Sequence, residues 1–368
     1  TSIIRVLAIA IMINGFENIG AVMLVREVRF NRKIVYDISI VVAETCVVII
    51  GAFVLKSVWA LVIGSLANRI ASVVFSYFIH PYRPRFSIDK KAFLELFRFG
   101  KWIGIVGIVA YFVSQGDTLT IGRMFGPAEV GFYSLAFGLA LLPAVEVSRT
   151  LGAVLFPHLS RISQAERGPV FLSMVRVVFL ISIPATFGLA VVGEQLVRLV
   201  YSDKWLPMLP AFHALLFYGG IRALSYLIEP LYLSMGRPRV VTVSTSLHFL
   251  VMAVTIVPLG SVFGLPGVAY AVLLGAIVSL AYLFVGIRRE RYVRLRSLVA
   301  AALIPSLAAG TMAVCLVAFE SIVPIITKSL LMYQITLGVV TYCIALYILD
   351  TLGAGTVRRS IVWLKENL

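Results

Sequence analysis

Apolar runs of about twenty residues repeat from one end of this chain to the other, and nothing else in the sequence constrains the fold so tightly. A run of that length matches the ~30 Å hydrocarbon core of a bilayer when it is helical. The expected spans are 3–25, 35–55, 58–79, 100–121, 129–154, 177–199, 208–234, 240–261, 265–287, 297–317 and 329–350, eleven in all.

The gaps between the runs alternate in charge. Arg26, Arg29, Arg32 and Lys33 follow the first run, and Arg83, Arg85, Lys90, Lys91, Arg98 and Lys101 follow the third. Arg161, Arg167 and Arg176 follow the fifth, Arg237 and Arg239 the seventh, and Arg288, Arg289, Arg291, Arg294 and Arg296 the ninth; Arg358, Arg359 and Lys365 close the chain. The intervening gaps carry almost nothing beyond Lys56, Arg123, Lys204 and Lys328. Cytoplasmic loops of membrane proteins hold the excess of Lys and Arg, so the pattern gives both the class and the orientation. The net charge of +15 invites a nucleic-acid reading, but 23 of the 32 basic residues lie in the gaps that become cytoplasmic. The excess is a topology signal, with contacts to anionic lipid, and no nucleic-acid partner is expected. With 60% hydrophobic and 13% charged residues and a mean hydropathy of +1.00, the chain is far from a soluble domain.

With basic gaps inside, the first span runs from outside to inside. A cytoplasmic N-terminus then needs an odd number of spans before Thr1, and a missing N-terminal stretch is expected. A faint internal repeat suggests that number. Shifted by about 210 residues, VWALVIGSLANRIASVVFSYFI from Val58 overlies VAYAVLLGAIVSLAYLFVGI from Val268. Three further spans in front would complete two six-helix lobes, followed by two extra helices. The expected organisation is an all-α integral membrane protein: residues 1–82 as what remains of an N-terminal lobe, 83–99 as an amphipathic cytoplasmic linker, 100–290 as a C-terminal lobe, and 291–368 as two additional helices and a tail. In the linker, Phe93, Leu94, Leu96 and Phe97 form an apolar side against Lys90, Lys91 and Arg98.

Charges inside the spans are the candidates for chemistry, because each costs at least ~2.5–3.5 kcal/mol at a span centre. They are Glu17, Glu44, Arg69, Asp117, Glu146, Arg149, Arg222 and Glu229. Glu146 and Arg149 share a helix face and read as a local ion pair. Arg222 and Glu229 share a face two turns apart, which disfavours direct pairing, and Arg222 follows Gly219-Gly220, which admits a close neighbour or a ligand. Gln115, Asp117 and Thr118 form a polar patch that suits a hydrogen-bonded packing cluster or a wet cavity equally. Asn14, Glu17 and Asn18 line one face of the first span with the same two readings. Charges of both signs in many spans point to a hydrated, charge-lined cavity. Arginine in such a cavity suits phosphate, because its planar fork binds bidentately and stays charged.

Cys46, Cys315 and Cys343 lie inside apolar runs without paired spacing, and the four histidines are scattered, so neither a disulfide framework nor a metal site is expected. No Walker loop, HExxH or GxSxG occurs, the expected external gaps are short, and the reading is a non-enzyme without a cofactor.

Residues 83–163 carry a more specific signal: Arg83-Pro84-Arg85-Phe86, Phe99-Gly100, Gln115 to Asp117, Gly122-Arg123 with Gly126-Pro127, Gly131-Phe132-Tyr133-Ser134-Leu135-Ala136, Phe156-Pro157 and Ser160-Arg161. This stretch resembles the middle of bacterial oligosaccharide flippases of the Wzx type, in the multidrug/oligosaccharidyl-lipid/polysaccharide exporter superfamily. YSDKWLPMLPAFHALLFYGG from Tyr201, LSMGRP from Leu233, and LVREVRF with VWALVIG near the start extend the resemblance over most of residues 20–290. It implies two six-helix lobes about a central cavity, in the bacterial plasma membrane. It also implies movement of polyprenyl-pyrophosphate-linked oligosaccharide units to the outer leaflet, for O-antigen, capsule or exopolysaccharide assembly, by rocking of the lobes. Implied partners are the lipid-linked substrate, membrane lipids, and the polysaccharide polymerase and glycosyltransferases of the pathway. The chain departs from the family in length, and is expected to lack the first three family helices. The expected substrate contacts are Arg222 and Arg149 at the headgroup, with Gln115 and Asp117, and Asp117 is also a candidate for ion coupling or for pairing the arginines. Glu17, Glu146 and Glu229 are candidates for ion coupling or for pairing the arginines. The alternatives are an ion-coupled drug or cation antiporter of the same superfamily, whose cavity would be dominated by carboxylates, and an integral-membrane glycan-processing enzyme, which would need a long charged external loop.

Overall fold

The computed structural model describes residues 2–26, 29–79, 81–83, 111–112, 114–289, 295–323 and 327–352, together with residues 90, 94 and 97. The helices are α1 (Ser2–Asn14), α2 (Gly20–Arg26), α3 (Phe30–Leu55), α4 (Trp59–Ile79), α5 (residues 114–124), α6 (Pro127–Arg161), α7 (Gln164–Leu196), α8 (Leu209–Ser234), α9 (Pro238–Phe263), α10 (Leu265–Arg289), α11 (Leu295–Ile322) and α12 (Lys328–Leu352). No strand occurs among the described residues. Eight helical segments there are long and apolar enough to cross a membrane, and the bent α6 makes a ninth. The all-α membrane class read from the apolar runs is therefore the class of the molecule. Most of the linker expected at 83–99, and part of the span expected at 100–121, lie outside the described residues.

The chain divides into two compact units, Thr1–Trp102 and Ile103–Leu368. In the first, the span expected at 3–25 is two helices rather than one, α1 and α2, interrupted at residues 15–19. Backbone groups freed by such a break must find partners inside the protein, and Asn18 supplies them. Its N–H donates to Ser76 Oγ (2.9 Å), its side-chain amide donates to the Tyr82 carbonyl (2.8 Å), and its Oδ1 accepts from the Gly20 N–H (2.9 Å). Glu44 and Arg69, lone charges in the sequence, both find neighbours: the Asn68 amide donates to Glu44 Oε2 (2.7 Å), and Arg69 reaches Asn14 Oδ1 (3.5 Å).

In the second unit α8 is the central helix. It packs on α6, α7 and α10, and 67% of its apolar window is buried, the highest share of any described span. Its inward residues Ala211, Phe212, Leu215 and Leu216 join Tyr133, Ala136 and Ala140 of α6 and Val268, Ala269 and Val272 of α10 in one core. Lipid is as apolar as leucine, so close packing and interhelical hydrogen bonds hold such a bundle. Ser244 and Ser279 share a hydrogen bond between α9 and α10 (2.7 Å), and the Tyr232 hydroxyl donates to the Leu283 carbonyl (2.9 Å). The helix ends follow local chemistry. Pro127 and Pro238 open α6 and α9, and a reciprocal Ser163–Glu166 capping box opens α7.

Two features of α6 place the site. Pro143 cannot donate a helical hydrogen bond, and α6 bends there by 55° between Leu142 and Ala144. Beyond the bend, Gly152 lies so close to α8 that a Cβ on it would stand 2.4 Å from the Tyr226 carbonyl oxygen. Only a glycine permits that approach.

Candidate functional site

Five elements of the second unit wall a cavity of about 670 Å³, α10 through Val272. α5 contributes Ser114, Gln115 and Asp117; α6 contributes Phe137, Glu146 and Arg149; α8 contributes Tyr218, Arg222 and Tyr226; α9 contributes Thr245, His248 and Phe249. Five of the seven residues singled out from sequence, Arg222, Arg149, Gln115, Asp117 and Glu146, thus meet on one wall system. Glu229 joins them indirectly, through Arg222. Glu17 belongs to the first unit, where its Oε1 accepts a hydrogen bond from the Tyr36 hydroxyl (2.7 Å).

Arg222 is the best-held charge. Its Nη1 donates to Glu229 Oε1 at 2.9 Å, and both side chains are mostly buried, at 21% and 18% exposed. The guanidinium carbon sits 4.6 Å from the Tyr226 ring centroid, within cation–π range. The pairing that the seven-residue spacing disfavoured is therefore formed. Residues seven apart rise ~10 Å along a helix, and the arginine closes that gap by lying along the helix over Tyr226. Arg149 pairs with Glu146 on α6, as their three-residue spacing implies, and this pair is open, at 60% and 52% exposed.

Asp117 is 6% exposed. Its Oδ2 accepts from the Tyr133 hydroxyl (2.8 Å) and its Oδ1 from the Thr118 N–H (2.7 Å). Tyr133 starts an aromatic chain, Tyr133, Phe137, Tyr218 and His248, with successive ring centroids 5.9 Å apart. Asp117 thus fixes one end of the cavity's aromatic wall, while Ser114 and Gln115 give it polar lining. Tyr133→Phe is expected to lower stability by about 1–3 kcal/mol, the cost of taking a donor from a buried acceptor. Thermal unfolding of the purified protein in detergent measures this, and an unchanged midpoint would show that Asp117 is held without Tyr133.

Tyr218, Tyr226 and His248 escaped the sequence reading. The two tyrosines had a signal: they stand four residues before and after Arg222, on its own helix face. His248 had none, because only the packing of α9 beside α8 and α10 brings it in. A Cβ at Gly275 of α10 would stand 2.7 Å from the His248 carbonyl oxygen. No group of three His, Cys, Asp or Glu is placed to hold a metal ion among the described residues. A second cavity, of about 420 Å³ between α7, α11 and α12, is almost wholly apolar and contains none of the candidate charges.

Residues 1–210 match the family described as "Polysaccharide biosynthesis protein". The chain is 27% identical over 239 residues to "Lipopolysaccharide biosynthesis protein WzxC" of Escherichia coli (strain K12), covering 64% of this chain and 49% of that protein. It is 24% identical over 240 residues to "Teichuronic acid biosynthesis protein TuaB" of Bacillus subtilis (strain 168), covering 64% and 50%. It is 22% identical over 223 residues to "Succinoglycan biosynthesis transport protein ExoT" of Rhizobium meliloti (strain 1021), covering 60% and 45%. The chain spans about half the length of these curated relatives. Among solved structures, "Lipid II flippase MurJ, inward closed conformation" superposes with a TM-score of 0.66 at 16% identity, over 84% of this chain and 66% of that one, a likeness of fold.

Proposed function

Because this chain belongs to the polysaccharide biosynthesis protein family, we propose that it carries polyprenyl-pyrophosphate-linked oligosaccharide units across the bacterial plasma membrane. The chain is a multi-pass helical membrane protein, and in this reading it is a carrier rather than an enzyme. The names of its relatives, polysaccharide biosynthesis and transport proteins and one lipid II flippase, support a lipid-linked glycan as cargo.

The single observation that carries the reading is the 670 Å³ cavity with arginines on two of its walls. Arg222 and Arg149 have the fork geometry that binds a diphosphate. Tyr218, Tyr226 and His248 offer ring faces and edges to sugars, and Gln115, Ser114 and Thr245 offer hydrogen bonds. The lipid tail stays in the bilayer while the headgroup passes by alternating access. The polymerase and glycosyltransferases of the same pathway are the partners that this cargo implies. The rival antiporter reading asks for a carboxylate-dominated wall, and two arginines weigh against it.

Deleting the protein from its own host tests the proposal. Surface polysaccharide is expected to disappear while lipid-linked repeat units accumulate in the cytoplasmic leaflet, accessible only after the membrane is opened. Unchanged surface polysaccharide, with no such accumulation, would overturn it.

A further inference from the structure

Each arginine of the cavity is paired with a carboxylate of its own helix. On α6 the partner is three residues away, Glu146 with Arg149; on α8 it is seven residues away, Arg222 with Glu229. Two helices with different spacings reach the same result. The second pair is the informative one, because the arginine must lie along the helix to make it. Arg222 lines the cavity, whereas Glu229 is not among the lining residues, so the pair draws a wall cation toward a carboxylate set off the wall.

An anion site built for tightness would leave the fork to its ligand. A pair built for packing alone has no need of a cation on the wall of a 670 Å³ cavity with an aromatic face beneath it. A carrier needs something between the two. Its site must bind well enough to load and weakly enough to release, and a diphosphate held by arginines away from bulk water leaves slowly. A tethered carboxylate competes at a fixed effective concentration, weakening the anion by a constant factor and taking the cation back as the anion departs.

We propose that Glu229 is an exchangeable counter-ion: it holds the Arg222 guanidinium in the empty cavity, yields it to the substrate's diphosphate, and reclaims it on release. This rests on the reading of the cavity as a diphosphate site. Glu229 is then a positioning residue whose task is release, and binding and transport respond to its loss in opposite directions.

The test compares the purified full chain in lipid nanodiscs with its Glu229→Gln, Glu229→Asp and Arg222→Ala variants, using radiolabelled farnesyl pyrophosphate as the probe. Glu229→Gln is expected to bind about tenfold tighter, equivalent to ~1.4 kcal/mol of competition removed, with the gain in a slower off-rate, while polysaccharide export in cells falls. Glu229→Asp keeps the charge but shortens the reach, and is expected to tighten binding in the same direction. It serves in place of the glutamine variant should that one fail to fold. Wild-type binding that Arg222→Ala abolishes, but that both Glu229 variants leave unchanged or weaken, overturns the exchange and leaves the diphosphate site standing. Absence of probe binding in the wild type and in every variant overturns the diphosphate reading, and the exchange with it.

Discussion

Arg222→Ala is expected to cut glycan export to below about a tenth of the wild-type rate. A charge-assisted, bidentate contact with a phosphate is worth roughly twice a neutral hydrogen bond, and losing even ~1.4 kcal/mol of it in the step that limits transport is a tenfold effect. Removing Arg222 also leaves Glu229 without the partner it has at 2.9 Å. Breaking a buried pair from one side costs about 3–5 kcal/mol, so part of any loss would be a loss of protein. Arg222→Ala combined with Glu229→Gln removes that burden and separates the two effects. The double variant is expected to reach the membrane at the wild-type level and still fail to export. Arg222→Lys keeps a charge but loses the fork, and is expected to fall between. Export measured against membrane protein level decides the matter: a double variant that exports normally would remove Arg222 from the transport path.

A large structural effect is expected at Gly152. Alanine there gains helix propensity, worth about 1 kcal/mol over glycine. Its Cβ, however, would stand 2.4 Å from a backbone carbonyl oxygen of α8, at Tyr226. No side-chain rotation relieves a clash with backbone, so α6 and α8 must separate at the point where they hold Arg149 and Tyr226. Overpacking costs typically ~1–3 kcal/mol, and the upper end applies here. Gly152→Ala should therefore lose about 2 kcal/mol net. Gly131 on the same helix is the control, because a Cβ there meets nothing within 4 Å. Gly131→Ala should show the propensity gain alone, up to ~1 kcal/mol. Opposite shifts in the unfolding midpoints of these two variants are the expected result; equal shifts would mean that the α6–α8 contact is looser than the distance implies.

Much of the fold was legible because lipid imposes a coarse code. Span length and the placement of arginines answer to bilayer thickness and charge asymmetry, and both survive in a single sequence. The interruption at residues 15–19 was harder to see. Asn14, Gly15 and Asn18 stand where the helix breaks, but only the distant partners Ser76 and Tyr82 make a break there tolerable. At the site, the charged residues declared themselves, since a charge in an apolar run is conspicuous. Their grouping did not. Asp117, Glu146, Arg222 and His248 come from four helices, and a one-dimensional pattern cannot say which faces meet. Glu17 looked equivalent to Asp117 in sequence and lies in the other unit, hydrogen-bonded to Tyr36. The Arg222–Glu229 pair was missed for a different reason. Spacing rules for helices describe side chains that stand out from the axis, and this arginine lies along it.

That pair also bears on how the protein is made. Each helix of a polytopic chain must enter the bilayer before all its neighbours are in place, and a lone arginine at mid-membrane raises the cost of insertion by ~2.5–3.5 kcal/mol. α8 carries both members of its ion pair within one segment of eight residues, Arg222 to Glu229, and α6 does the same with Glu146 and Arg149. Each can neutralise itself during synthesis. The two most highly charged walls of the cavity therefore enter the bilayer as electrically balanced helices, and neither waits for a partner from elsewhere in the chain.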